Sequence, residues 1–222
     1  MGAETKLAGK RVIISGASAG IGKATALRFA GAGATVLAVG RRADALQKLV
    51  DEATGMPGPI EAWPGDVTDP VFVAHLVASA GNVDILVNVA GILRHTPFLE
   101  GDPDHWRKVF ETNVVALLRL TQAVAKGMAN RRSGHIILMS SALARAVYPY
   151  TMVYAATKHA VRAIHVGLRQ ELNPFGIRCT EVCPGLVGDT ELLDATDHPA
   201  VVESYKRRPY KPIASEIGRA HV

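Results

Sequence analysis

The chain has 222 residues, of which 48% are hydrophobic and 20% charged, with a formal net charge of +5; this is the size and apolar content of one globular domain around a buried core. Its longest apolar runs, such as VIISGA and VVALLRL, are too short or too interrupted to cross a bilayer, and the opening MGAETKLAGKR lacks the apolar centre of a signal peptide. Lys6 stands where an N-myristoylation signal prefers Ser or Thr, so a cytoplasmic protein is expected.

The basic residues are dispersed and no zinc-finger or base-stacking motif accompanies them, which describes a solvated surface that attracts phosphorylated ligands and not a nucleic-acid face. Eight histidines occur without an HxxxH or HExxH pair, and there is no CxxC, so no metal site is expected. Cys179 and Cys183 lie four steps apart in the run IRCTEVCPG. On a strand that is roughly 13 Å, beyond the about 7 Å a disulfide spans.

Taken in chain order, short β-branched runs alternate with helical patterns: RVIIS then 20–32, TVLAV then 42–53, IEAW then 70–80, DILVN then a long helix over about 104–130, HIILMS then a helix over about 152–173, and finally IRCTEV. Strands without a clean period of two, each followed by a helix, imply a parallel sheet buried on both faces. The expected fold is therefore α/β, a doubly wound Rossmann-type sheet with helices on both faces. One domain over 1–222 is expected, and ligands of such a sheet bind beyond the carboxyl ends of its strands.

At the end of the first strand stands SGASAGIG, with Gly16, Gly20 and Gly22. Glycines there let the backbone turn and approach a pyrophosphate, and the N–H groups opening the next helix present a positive dipole end to it. The second strand ends in VGRR. Gly40 takes the place where an NAD enzyme usually puts an acid, and Arg41 and Arg42 follow, a charge that suits the extra phosphate of NADP. NADP is preferred to NAD on this ground.

Near residue 150 the chain reads YPYTMVYAATKHA, three tyrosines followed by a lysine. Residues four apart share a helical face. Only Tyr154 has a cation at that offset, Lys158; Tyr148 has Met152 and Tyr150 has Tyr154. A nearby ammonium lowers a phenol from its ordinary pKa of about 10 towards working pH, so Tyr154 is the candidate acid and base, with Tyr148 and Tyr150 left to pocket lining or packing.

Together with GDVTD at 65–69, NVAG at 88–91 and TNV at 112–114, these motifs make the chain resemble the short-chain dehydrogenase/reductase family in its common single-domain branch, from about residue 7 to residue 215. The resemblance implies an enzyme moving a hydride between NADP and the carbon of an alcohol, ketone or aldehyde. It implies a catalytic set of Asn113, Ser141, Tyr154 and Lys158. Ser141 lies thirteen positions before Tyr154, the family interval, whereas Ser140 on a strand would face the other side. Asn113 would hold a water that relays protons to the lysine, or bond helix backbone, or both.

The cofactor contacts implied are Gly16, Ser18, Gly20, Ile21 and Gly22 at the phosphates, Arg41 at the ribose phosphate, Asp66 and Val67 at the adenine, and Asn88, Ala90 and Gly91 along the ribose chain. Tyr154 and Lys158 would also touch the cofactor, and Pro184, Gly185 and Val187 would back the nicotinamide. Departures from the family pattern are Asp189 at a usual threonine, with Thr190 one later, and the milder Val89, Ala144 and Ser15.

A dinucleotide-binding module without turnover is the alternative function. An acyl-carrier-protein ketoreductase, for which Arg131 and Arg132 are generic docking candidates, is a third. After the variable loop at about 189–212 the chain ends in EIGRAHV, which reads as a translated adaptor at 216–222. The family's last strand is then expected to be missing, with an exposed sheet edge and doubt over the homodimer or homotetramer usual for the family.

Overall fold

The computed structural model describes residues 6–187, 196 and 198–206. Six strands, β1 (Arg11–Ser15), β2 (Thr35–Gly40), β3 (Ile60–Pro64), β4 (Ile85–Asn88), β5 (Gly134–Met139) and β6 (Ile177–Val182), form one sheet in the order β3-β2-β1-β4-β5-β6. Every neighbouring pair is parallel. The helices are α1 (Gly20–Gly31), α2 (Ala43–Glu52), α3 (Pro70–Ala80), α4 (Pro103–Phe110), α5 (Ala116–Arg131), α6 (Met152–Leu172) and α7 (Pro199–Lys206). The doubly wound sheet read from the sequence is the fold. Asp189, Thr190 and the tail at 216–222 lie outside the described residues.

Side chains alternate across each strand, so the sheet feeds two cores. Val12 and Ile14 join Val36, Ala38 and Val87 under Ala26, Ala30, Leu46 and Leu49 of α1 and α2. Ile13, Leu37, Leu86, Ile136 and Leu138 pack on the other face against Leu76, Leu120, Val124, Met128 and Val161 of α3, α5 and α6. Both faces are thus covered, and this is why the strands read as unbroken apolar runs. Local chemistry fixes the starts: Asp69 accepts from Val71 N–H at 2.8 Å ahead of Pro70, and Asp102 from Asp104 N–H at 2.9 Å ahead of Pro103.

One element differs from expectation. The single helix expected over 104–130 is interrupted by a π-helical segment, Glu111–Val115, between α4 and α5. A π turn inserts one residue into the helix and redirects a side chain, and the one redirected inward is Asn113, 1% exposed. Arg131 and Arg132, the candidate docking residues, are exposed and also bond the fold: Arg131 donates to Asn82 Oδ1 and Val83 O, and Arg132 to Pro174 O.

The strand order reverses between β1 and β4, where Ser15 pairs with Asn88. Ser15 Oγ accepts from the N–H groups of Val89 and Ala90 at 3.1 and 3.2 Å. That bond holds the first loop beside the fourth and opens a crevice at their carboxyl ends.

Candidate active site

The crevice is a cavity of about 680 Å³. Of the residues singled out in the sequence, Gly16, Ser18, Gly20, Ile21, Gly22, Arg41, Asp66, Val67, Ala90, Gly91, Ser141, Tyr154, Lys158, Pro184, Gly185 and Val187 line it. Asn88 and Asn113 do not. The Asn88 side chain turns into the interior and donates to Thr121 Oγ1 at 3.0 Å, because α5 offers the partner that a buried amide needs.

The glycine loop leaves no room for side chains. Gly16 has φ +71°, and a Cβ there would lie 2.8 Å from Ala90 N; one on Gly22 would lie 2.1 Å from Gly16 O. No side chain caps α1 at Ala19 and no acid stands in its first turn, so its opening N–H groups face the cavity as an anion cradle. A dinucleotide pyrophosphate fits that cradle. Farther along, Asp66 Oδ1 accepts from Thr68 N–H and from Thr68 Oγ1, each at 2.8 Å, which fixes the turn after β3.

At the end of β2, a Cβ on Gly40 would press on the Ser18 side chain at 3.2 Å, so an acid in this place would be crowded. Arg42 reaches over instead, with Nη2 3.4 Å from both Ser18 O and Ser18 Oγ. Arg42 lines the cavity beside Arg41, so both guanidiniums of the VGRR segment stand at its wall, although the direct phosphate contact was expected of Arg41.

Tyr154, Ser141 and Lys158 meet at the inner wall. Tyr154 is 8% exposed and Lys158 4%. The Lys158 ammonium lies 5.5 Å from the centre of the Tyr154 ring and donates to Met139 O at 2.9 Å. Burial pushes Lys158 down to about 8, with Cys183 pulling the other way. Burial also raises the Tyr154 phenol above its ordinary value, outweighing a hydrogen bond with Ser141 that lowers it. The protein's own atoms therefore do not produce the lowered phenol expected from Lys158; desolvation dominates at this depth. Ser140 also lines the cavity; it is 2% exposed, and its hydroxyl has no hydrogen-bond partner among the described residues.

Asn113 sits behind this wall as a clamp. Its Oδ1 accepts from Ile92 N–H at 2.8 Å, and its Nδ2 donates to Ile92 O at 2.9 Å and Thr157 Oγ1 at 3.1 Å. A Cβ on Gly91 would lie 3.3 Å from Asn113 Oδ1 and 3.8 Å from Lys158 Nζ, so the clamp and the lysine converge on that glycine. Tyr148 lines the cavity while Tyr150, held at φ +67°, does not. Leu93, His95, Leu143, Leu186 and Tyr205 also line it, and no sequence motif marked them.

A parallel sheet of this order, with a glycine cradle at its switch point, defines a Rossmann-type α/β protein. The family model for short chain dehydrogenase matches residues 10–200, and the chain belongs to that family of oxidoreductases. It is 38% identical over 206 residues to a short chain dehydrogenase of Pseudocercospora fijiensis, covering 87% of this chain and 67% of the relative. It is 37% identical to an NADP-dependent 3-hydroxy acid dehydrogenase of Shigella flexneri, covering 81% of this chain and 73% of that one. Among solved structures, a 7α-hydroxysteroid dehydrogenase complexed with NADH and 7-oxo glycochenodeoxycholic acid superposes with a TM-score of 0.86 at 30% identity, over 96% of this chain and 85% of that chain. Among the described residues, no helix is long and apolar enough to cross a membrane.

Proposed function

We propose that the protein interconverts an alcohol and a ketone or aldehyde with NADP as cofactor, Tyr154 serving as general acid and base. The observation that carries this reading is the meeting of Tyr154, Ser141 and Lys158 in the same cavity as the uncapped start of α1. When bound in the cradle, the nicotinamide cofactor supplies or accepts the hydride at the substrate carbon.

In reduction the substrate carbonyl oxygen gains charge, and two donors converge on it. The Ser141 hydroxyl orients that oxygen, and the Tyr154 phenol donates its proton to it; a positioned acid of this kind is worth about 10²–10⁴-fold in rate. A phenol raised by burial stays protonated at neutral pH and is ready to give its proton. The Lys158 ammonium then stabilises the phenolate left behind. Near a pKa of about 8 it is also able to pass a proton on. Asn113 holds Ile92 and Thr157 in register beneath Lys158. With both of its amide atoms engaged, a water relay through this residue would run from its backbone carbonyl.

The NADP reading rests on Gly40, Arg41 and Arg42 at the end of β2, and the Shigella relative is NADP-dependent, although the hydroxysteroid dehydrogenase structure holds NADH. A fluorescence titration with NADPH and NADH tests both parts. NADPH is expected to bind about 10–100-fold more weakly to Arg41→Asp while NADH changes little, since a guanidinium–phosphate pair contributes roughly 1.5–3 kcal/mol. Equal affinity for the two nucleotides would overturn the preference. In turnover, Tyr154→Phe is expected to lose about 10²–10⁴-fold in kcat with NADPH affinity retained; unchanged turnover would remove Tyr154 from its role.

A further inference from the structure

His95 is buried, 3% exposed, in the segment between β4 and α4, and it lines the same cavity as Tyr154. Its ring stands edge-on to Tyr154, with centroids 5.9 Å apart and planes at 65°. On its other side it stacks on Tyr205, again at 5.9 Å but with planes at 14°. The Tyr205 hydroxyl and His95 Nδ1 are hydrogen-bonded. Tyr205 comes from α7, near the end of the described chain, and is close enough to the Tyr154 phenol to push its pKa upward. One imidazole therefore lies between the proposed proton donor and α7, whose Tyr205 also lines the cavity.

The same imidazole's residue holds α7 a second time through its backbone. His95 N–H donates to Thr196 Oγ1 at 3.3 Å, and Thr196 is 7% exposed. At the start of α7, His198 Nδ1 accepts from Ala200 N–H at 3.2 Å while its Nε2 meets Glu100 Oε2 at 3.1 Å. Val201 of α7 is 1% exposed. The segment from Thr196 to Tyr205 is thus fastened to the β4–α4 connection at both ends, and the inner fastening is His95.

We propose that His95 is a positioning residue for the reaction, joining α7 through Tyr205 to the ring of Tyr154, so that the placement of α7 beside the cavity and the setting of the phenol are coupled. This rests on the reading of Tyr154 as the proton donor. Edge-to-face and stacked ring pairs have preferred geometries, so a shift of Tyr205 with α7 changes the wall against which the Tyr154 ring rests. The hydrogen bond adds direction to a contact that packing alone would leave loose.

Amide hydrogen exchange on the purified full chain tests the coupling without requiring a substrate. In the wild type, α7 amides are expected to be protected. In His95→Ala and in Tyr205→Phe, the 199–206 amides are expected to exchange about tenfold faster while those of α1 are unchanged. Either unprotected α7 amides in the wild type or unchanged exchange in both variants overturns the proposal. Faster exchange everywhere in His95→Ala would report a folding defect, and Tyr205→Phe, which removes one hydroxyl, then decides.

The second readout is reduction of ethyl acetoacetate by NADPH. With NADPH affinity unaltered, Tyr205→Phe is expected to raise KM severalfold. His95→Ala is expected to lower kcat as well, and His95→Gln, which keeps a hydrogen-bonding side chain, to restore part of it. A kcat in His95→Ala equal to that of the wild type would overturn the link to Tyr154. Loss of NADPH binding by the wild type, or full activity in Tyr154→Phe, would instead defeat the reading of the active site itself and leave the exchange result standing on its own.

Discussion

The glycine-loop side of the cavity is shaped largely by backbone, and its α7 side by side chains. On the first, Gly16 and Gly22 admit no Cβ, and the start of α1 offers N–H groups that no side chain caps. On the second, contacts join residues 98, 101 and 110 positions apart: Glu100 with His198, His95 with Thr196, and His95 with Tyr205. A cradle of backbone serves any chain that binds the same phosphates, since amide dipoles need no particular side chain. A wall of side chains changes with each residue, so differences between substrates arise there.

The sharpest way to break this contrast is Gly22→Ala. Its added methyl would lie 2.1 Å from Gly16 O and 2.7 Å from Gly16 C, both backbone atoms that cannot rotate away. Overpacking of that kind costs about 1–3 kcal/mol. The variant is expected to lose saturable NADPH binding and to unfold at lower urea. Binding at wild-type affinity would mean that the loop is not the rigid cradle described here. His95→Ala on the opposite wall should leave NADPH affinity unaltered, so the pair of variants separates the two sides.

The same contrast explains what could be read from the sequence. Each strand and helix bounding the nucleotide side carries its signal within a few neighbouring residues: apolar runs, glycine spacings, an Asp–Pro cap. The six strands therefore fall within a residue or two of where the pattern puts them. Tyr154 and Lys158 were legible for the same reason, being four apart on one helix. The π segment at Glu111–Val115 was not, because the bonds between Asn113 and Ile92 that go with it join residues 21 positions apart. His95 and Tyr205 left no trace in local spacing, and neither did the turn of Asn88 away from the cavity towards Thr121. The raised Tyr154 phenol was missed because depth of burial, and not the neighbouring lysine, sets it.

Lys158 sharpens the contrast next, as a side chain whose position opposes stability. Burial lowers its pKa from 10.5 to about 8. The unfolded chain then holds a proton that the folded chain gives up between those values, so stability rises with pH from about 8 to 10.5 and the full cost applies below 8. Tyr154, Cys179 and Cys183, all raised in the fold, act in the opposite sense: their contributions fall as pH climbs past their unfolded values. Comparing wild type with Lys158→Met in urea at pH 7 and at pH 10 cancels those groups. The variant is expected to be more stable at pH 7, by up to about 3 kcal/mol less the lost bond to Met139 O, and the gap to narrow at pH 10. A gap independent of pH would show that Lys158 carries its charge in the fold without cost.

The smallest expected effect lies on α6, the helix that carries Tyr154 and Lys158. Gly167 is interior to this helix, has no positive φ, and an added Cβ there would meet nothing within 4 Å among the described residues. A glycine in such a place leaves the unfolded chain with entropy that alanine would remove, and alanine is the better helix former by about 0.5–1 kcal/mol. Gly167→Ala is therefore expected to raise the melting temperature by about 2–4 °C with nucleotide affinity and kcat unaltered, since a stiffer helix does not move residues already held by Asn113 and Met139. The reverse outcome would be informative in a definite way. The space around Gly167 is open among the described residues, so a methyl that destabilised the protein would meet a surface outside them, supplied by the rest of the chain or by another molecule. A concentration-dependent melting temperature in the wild type, lost in the variant, would then identify that molecule as a second copy.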